Sequence, residues 1–249
     1  SDNWALTAAA EAYESKGKHI ITSKIEHHAV LHTCQYLEKR GYEVTYLDVD
    51  ENGLVNPADV EAAIRPDTIL VSVMFANNEI GTIEPIAKIG RLARTYGITF
   101  HTDAVQAFGH VPINVARMNI DMMSVSAHKF NGPKGVGFLY VRNIDDFEPL
   151  IWGGGQENGK RSGTENVPGA AGMGLAAQLA YQKFEQKKAH LNELRRYFLE
   201  GIHKLDDVSI NGWDETADGE ECIDKRAPHI VSVSFTGVRS EVLLNALSD

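Results

Sequence analysis

Through about residue 145 this chain alternates short apolar runs with segments whose apolar residues recur at helical spacing, and that alternation restricts the fold more than any other feature. Residues 1–17 carry Trp4, Ala5, Ala8, Ala9, Ala12 and Tyr13 at helical spacing, with Ser1 or Asp2 as cap and Gly17 as stop. His19-Ile20-Ile21-Thr22-Ser23 reads as a short strand, and residues 28–40 as a helix closed by Gly41. Glu43-Val44-Thr45-Tyr46-Leu47 alternates as a strand does, and Asn56-Pro57 opens a helix running through Ile64. Residues 68–75 are apolar on both faces, which predicts a central strand; Glu84-Pro85 opens a helix that Gly97 ends, and residues 98–103 form the next strand. Repeated units of this kind predict an α/β fold, a mostly parallel sheet with helices on both faces, whose strand ends collect polar groups along one edge.

The stretch from Asp121 to Gly135 is the most informative single segment. Met122, Met123 and Val125 give a buried strand, and Ser126, His128 and Lys129 follow where it runs into a loop with Gly132-Pro133 and Gly135. Behind that tight turn Gly137-Phe138-Leu139-Tyr140-Val141 is a strand of reversed character. A glycine-rich segment from Gly153 to Thr164 then separates a large domain, residues 1–164, from residues 165–249. The second part has a helical stretch over 167–205, a strand over 230–235 and a final helix, and reads as an incomplete small α+β domain. Both termini read as cut: the sequence begins in mid-pattern at Ser1-Asp2-Asn3 without an initiator Met and stops directly after the helical run 241–247.

Charge and cysteine content narrow the function classes. A net charge of -10 with no clustered basic run argues against nucleic acid and anionic membrane as partners, and favours small molecules or proteins. Two cysteines, Cys34 and Cys222, cannot make a disulfide framework or a multi-cysteine metal site, and they suit a reducing compartment. With no apolar run of about 18 residues and no basic-then-apolar leader, the chain reads as cytoplasmic.

The chemically capable residues all fall at predicted strand ends. Glu26-His27-His28 follow the first strand, Asn77-Asn78-Glu79 the central one, Asp103 and Gln106 the next, and Ser126, His128 and Lys129 complete the set. An aspartate ending an apolar strand can hold a protonated ring nitrogen, and a histidine can stack on a heterocycle. A lysine near apolar walls can bind an aldehyde carbon, and a serine and a histidine beside it can take a phosphate. These are the requirements of pyridoxal phosphate. Each residue taken alone has a plainer reading: Lys129 a surface lysine, Asp103 a turn or helix cap, His27 or His28 an exposed cap, Asn77-Asn78 a turn. The spacing favours the joint reading, because Asp103 precedes Lys129 by 26 residues, one crossover and one strand. A zinc site from His27, His101 and Asp103 is the competing arrangement, and it lacks a short-spaced ligand pair.

Five motifs in order carry a resemblance over nearly the whole chain: residues 22–31 (TSKIEHHAVL), 77–81 (NNEIG), 101–106 (HTDAVQ), 126–129 (SAHK) and 161–164 (RSGT). Together they closely resemble the cysteine desulfurases that serve iron-sulfur cluster assembly, class V enzymes of the fold-type I pyridoxal 5′-phosphate group. The resemblance implies that Lys129 binds the cofactor as a Schiff base, that His27 stacks on its ring and shuttles protons, and that Asp103 pairs with the pyridinium nitrogen. Gln106 would hydrogen-bond the ring's phenolic oxygen and Asn78 would lie near it. Ser126 and His128 would bind the phosphate, joined by Thr164 from a second subunit, which makes a homodimer part of the site.

It further implies the reaction, in which L-cysteine yields L-alanine and its sulfur passes as an enzyme persulfide to a scaffold or other sulfur-acceptor protein. The family's nucleophilic cysteine lies on a loop shortly after the helix at 240–247, so it is expected beyond Asp249; Cys34, on an apolar helix face, and Cys222, in an acidic loop, do not match it. The family's phosphate-binding turn is expected before Ser1, and a late arginine for the substrate carboxylate is likewise outside the sequence. Two other readings stand beside this one: a sister enzyme such as a selenocysteine lyase or another class V aminotransferase, and a non-catalytic fragment that keeps the fold.

Overall fold

A computed structural model describes residues 1–145 and 147–248. Helix α1 (Asp2–Ala12) leads into β1 (His19–Ser23), α2 (His28–Glu38), β2 (Glu43–Leu47), α3 (Pro57–Ala63), β3 (Thr68–Ser72), α4 (Ile86–Tyr96), β4 (Thr99–Asp103), β5 (Met122–Ser126) and β6 (Gly137–Val141). These strands form one six-stranded sheet in the order β2-β1-β3-β4-β5-β6. Every pair is parallel except β5 with β6, so the expectation of a mostly parallel sheet with one reversed strand holds.

β1 and β3 are buried at every position, because helices cover both of their faces. On one face Ala5, Leu6 and Ala9 of α1 and Val30, Cys34 and Leu37 of α2 pack on Ile20 and Leu70. On the other, Val60 of α3 and Ile86, Ile89 and Ala93 of α4 pack on Ile21, Val71 and Phe100. Gly90 lets α4 come down on the loop before β5: a Cβ there would sit 2.0 Å from the Met118 carbonyl oxygen. Gly97 ends the same helix in the left-handed conformation, at φ 67°, as its position predicts.

After the sheet come α5 (Val167–Gln182), α6 (Phe184–Ile202), β7 (Val208–Asn211), β8 (Ser232–Phe235) and α7 (Ser240–Ser248), with β7 and β8 forming a separate antiparallel pair. Several boundaries differ from expectation. α1 ends at Ala12, short of Gly17. The helical stretch 167–205 is two helices broken at Lys183, whose φ of -121° leaves the helical region. β3 ends at Ser72, although the Val73 and Phe75 N–H groups still donate to the His101 and Asp103 carbonyls. β7 went unpredicted; it has only four residues and no glycine or proline marks its start. No helix among the described residues is long and apolar enough to cross a membrane.

Candidate active site

Four parallel strands in the order β1-β3-β4-β5 end on the same side of the sheet, and each delivers part of the expected set. His27 follows β1, Asn78 follows β3, Asp103 ends β4 with Gln106 just beyond it, and Ser126 ends β5, with His128 and Lys129 on the short 3-10 turn Ala127–Phe130. In the β4–β5 ladder Asp103 lies opposite Ser124, so its carboxylate and the Ser126–Lys129 turn belong to neighbouring strand ends. Thr164 stands apart from this row, on an exposed loop before α5, and makes no hydrogen bond to it among the described residues.

The buried shell beneath the row sets its geometry. Glu26 is almost inaccessible; its Oε1 accepts from the Ser23 hydroxyl at 2.7 Å and the Met74 N–H at 2.8 Å, tying the end of β1 to the end of β3. Burial pushes its carboxyl well above the usual carboxylate range. His27, the next residue, caps α2: its Nδ1 accepts the Ala29 N–H at 3.1 Å. A neutral ring that accepts at Nδ1 carries its proton on Nε2, which remains exposed for use. Asn77 is buried and builds the next turn, donating to the Ile25 carbonyl and accepting from the Glu79 and Ile80 N–H groups. Asn78 is left half-buried, its amide donating to Glu79 at 2.7 Å.

Asp103 is the electrostatic centre. One oxygen accepts the Val105 N–H at 2.9 Å, and no cation pairs with the carboxylate among the described residues. Burial, reinforced by the Asp2 carboxylate, pushes it up to about 7. Asp2 is itself buried, and its Oδ1, 3.8 Å from His101 Nε2, accepts no hydrogen bond among the described residues. Two buried carboxylates without a cation cost free energy unless a positive group joins them. Lys129 is exposed on the adjacent strand end and makes no ion pair among the described residues. A row that offers a cation-seeking carboxylate, an unpaired amine, a hydroxyl and an exposed imidazole fits a ligand with a protonatable ring, a carbonyl carbon and an anionic arm.

The profile of the aminotransferase class V family matches residues 1–249. The chain belongs to that family. Class V aminotransferases are pyridoxal 5′-phosphate enzymes, and the fit of the row to a ring cation and an aldehyde agrees with that cofactor. Across 245 residues the chain is 53% identical to the cysteine desulfurase IscS of Clostridium botulinum, which covers 98% of this chain and 60% of that protein. It is 51% identical over 248 residues to the cysteine desulfurase IscS of Methanosarcina thermophila, covering 100% and 59%. Among solved structures a NifS-like protein superimposes with a TM-score of 0.92 at 40% identity, covering all of this chain and 66% of that one. A structure described as SspA in complex with cysteine superimposes at 0.80 with 38% identity, covering all of this chain and 66% of that one. The chain thus spans about three-fifths of the length of the curated relatives it matches.

Within this class V chain, His101 is withdrawn from the alternative zinc arrangement. It is fully buried with Nδ1 2.8 Å from the Ser72 hydroxyl and Nε2 3.0 Å from the Ser124 hydroxyl, and burial lowers it to about 4. Both ring nitrogens are engaged, which leaves none for a metal. Neither cysteine is poised as a nucleophile. Burial raises the Cys34 thiol to about 12 and raises Cys222 as well, and both side chains are enclosed. Sequence reasoning missed Asp2, Glu26 as a strut, and a histidine pair, His110 and His229. Only contacts between distant segments give these residues a role, and no local pattern announces them.

Proposed function

We propose that this row is the cofactor site of a pyridoxal phosphate-dependent cysteine desulfurase. The overall reaction would convert L-cysteine and an enzyme thiol into L-alanine and an enzyme persulfide, which supplies sulfur for iron-sulfur cluster biogenesis. The observation that carries the reading is the placement of Lys129 and Asp103 on adjacent parallel strand ends, both without an ionic partner among the described residues. The names of relatives identical at half of all positions support the substrate, as does the solved neighbour described in complex with cysteine.

Bound there, the cofactor would supply an electron sink for bond breaking at the carbon skeleton of the amino acid. The residues of the chain divide the remaining work. Asp103 would hold a proton on the ring nitrogen; its carboxylate is raised by burial, and a cation at hydrogen-bonding distance would restore the charged form. Lys129 would anchor the aldehyde carbon, while Gln106 and Asn78 would face the phenolic oxygen. Ser126 and His128 would bind the phosphate, with Thr164 contributed by the partner in a homodimer. His27, with its proton on Nε2 and the opposite nitrogen fixed by the Ala29 N–H, would stack on the ring and exchange protons with the substrate. Neither Cys34 nor Cys222 would be the sulfur-accepting thiol.

In this reading residues 1–164 form the cofactor domain and residues 165–249 belong to a smaller domain. A cytoplasmic enzyme with a protein sulfur acceptor completes it. The test is alanine release from L-cysteine by the full-length protein with cofactor added. Stoichiometric alanine and a persulfide on the enzyme are expected; a cofactor-loaded protein that forms neither overturns the assignment.

A further inference from the structure

Segment 225–230 runs from the region of the small sheet to the site row. The Ile83 N–H donates to the Lys225 carbonyl at 2.9 Å and the Ala227 N–H to the Gly81 carbonyl at 2.7 Å, which stitches this segment to the turn bearing Asn78. Two residues on, His229 lays its ring on that of His110, with centroids 3.8 Å apart and planes inclined by 24°. The two rings then reach two different site residues. His110 Nε2 lies 3.0 Å from the Lys129 carbonyl oxygen, and His229 Nε2 lies 3.4 Å from Gln106 Oε1.

The protons on these rings follow from their partners. A carbonyl only accepts, so His110 carries hydrogen on Nε2, and its buried Nδ1 has no partner among the described residues. Imidazoles stacked this closely do not both hold charge. Burial, and then His110 and Lys187, lower His229 to about 3, so it too is neutral. Its Nδ1 is buried without a partner among the described residues, and a hydrogen placed there would be a stranded donor, so the hydrogen belongs on Nε2. A hydrogen on Nε2 in turn fixes which end of Gln106 faces His229. The carboxamide oxygen must turn toward the ring and the NH2 away from it.

We infer that His229 is a positioning residue: its Nε2–H locks the Gln106 carboxamide with both amide hydrogens free for the cofactor, and its stack on His110 braces the Lys129 carbonyl. The inference rests on the cofactor reading above. It adds a link between segment 225–230 and the two residues expected to hold opposite sides of the cofactor.

Two substitutions separate donation from packing. His229→Gln keeps an N–H donor and loses the flat ring; His229→Phe keeps the ring and loses the donor. The full-length protein, stripped of cofactor, is titrated with pyridoxal phosphate, and the dissociation constant is read from the visible absorbance. Loss of one polar contact to an orienting group predicts about tenfold weaker binding for H229F. H229Q stays within roughly threefold of the unsubstituted protein. In a Gln106→Ala background the two substitutions become equivalent, because the group they act on is gone. Melting of the cofactor-free proteins is read first, and His229→Leu replaces H229F if the latter does not fold. A donorless variant that binds as tightly as H229Q, or a difference that persists in the Q106A background, overturns the inference while leaving the cofactor reading intact. Failure of the unsubstituted protein to bind pyridoxal phosphate overturns both.

Discussion

Strands β4 and β5 each have two ends, and those ends treat an aspartate in opposite ways. At the start of β5, Asp121 accepts from Arg142 Nε at 2.8 Å and from the Phe100 N–H at 3.0 Å, with Arg94 3.9 Å away. Arg142 also donates to the Ile120 and Val115 carbonyls, so charge and hydrogen-bonding capacity at that end are matched within the chain. At the end of β4, Asp103 is buried with one backbone donor and the Asp2 carboxylate acting on it, and makes no ion pair among the described residues. The two sites share a sheet and two strands. They differ in burial, Asp121 being partly exposed and Asp103 buried, and in whether the chain satisfies its own charges. An aspartate paired internally holds the fold together, while one left unpaired at a desolvation cost is the kind of group a cation from outside would stabilise, as the proposed cofactor role of Asp103 requires.

Substitutions that break this contrast rank by expected effect. Lys129→Ala removes the only amine on the Ser126–Lys129 turn, and borohydride reduction of the cofactor-treated protein should then leave no label on that peptide, a complete loss read by mass spectrometry. Asp103→Asn should weaken cofactor binding by roughly ten- to a hundredfold, since a charge-assisted hydrogen bond contributes about 1.5–3 kcal/mol.

The same D103N substitution acts in the other direction on the protein without cofactor. The folded pKa of about 7 lies above the ordinary aspartate value, so the folded chain keeps this proton to higher pH than the unfolded chain does. The stability associated with Asp103 is therefore fully present below about pH 4 and declines as pH rises to about 7. Cofactor-free D103N should melt above the unsubstituted protein at pH 8, with the gap closing toward pH 4, and saturating cofactor should reverse the order. Thermal scans across that range check it; a D103N protein that melts lower at pH 8 without cofactor contradicts the account of Asp103.

At the opposite strand ends the expectation inverts. Asp121→Ala should cost about 1–3 kcal/mol of stability, because Arg142 and the Phe100 N–H lose their acceptor, and should leave the cofactor dissociation constant unchanged. Smallest of all, Cys222→Ser should leave alanine formation from cysteine unaltered, which an amino-acid assay reads directly; loss of turnover in a folded C222S protein would return that enclosed thiol to the mechanism.

Much of this organisation is legible in the sequence because it is local. β1 and β2 fall where their patterns place them, and Asn56 caps α3 through the Ala58 N–H as Asn56-Pro57 suggests. The row of site residues follows from topology, since parallel strands bring their following loops to one edge. The unread parts depend on distance in sequence. Gln106 and His229 are separated by 123 residues, and Glu26 meets Met74 across 48. Nothing in a window around Asp2 shows that its carboxylate acts on Asp103. The break between α5 and α6 at Lys183 is illegible for another reason: no glycine or proline lies near it, and only the backbone turns away.

The most direct test is to incubate the full-length protein with pyridoxal phosphate, record its visible spectrum, reduce with borohydride and map the modified peptide. The account predicts a yellow protein labelled at Lys129, with the label absent from K129A. A colourless protein, or a label carried by another lysine while Lys129 stays unmodified, would contradict it.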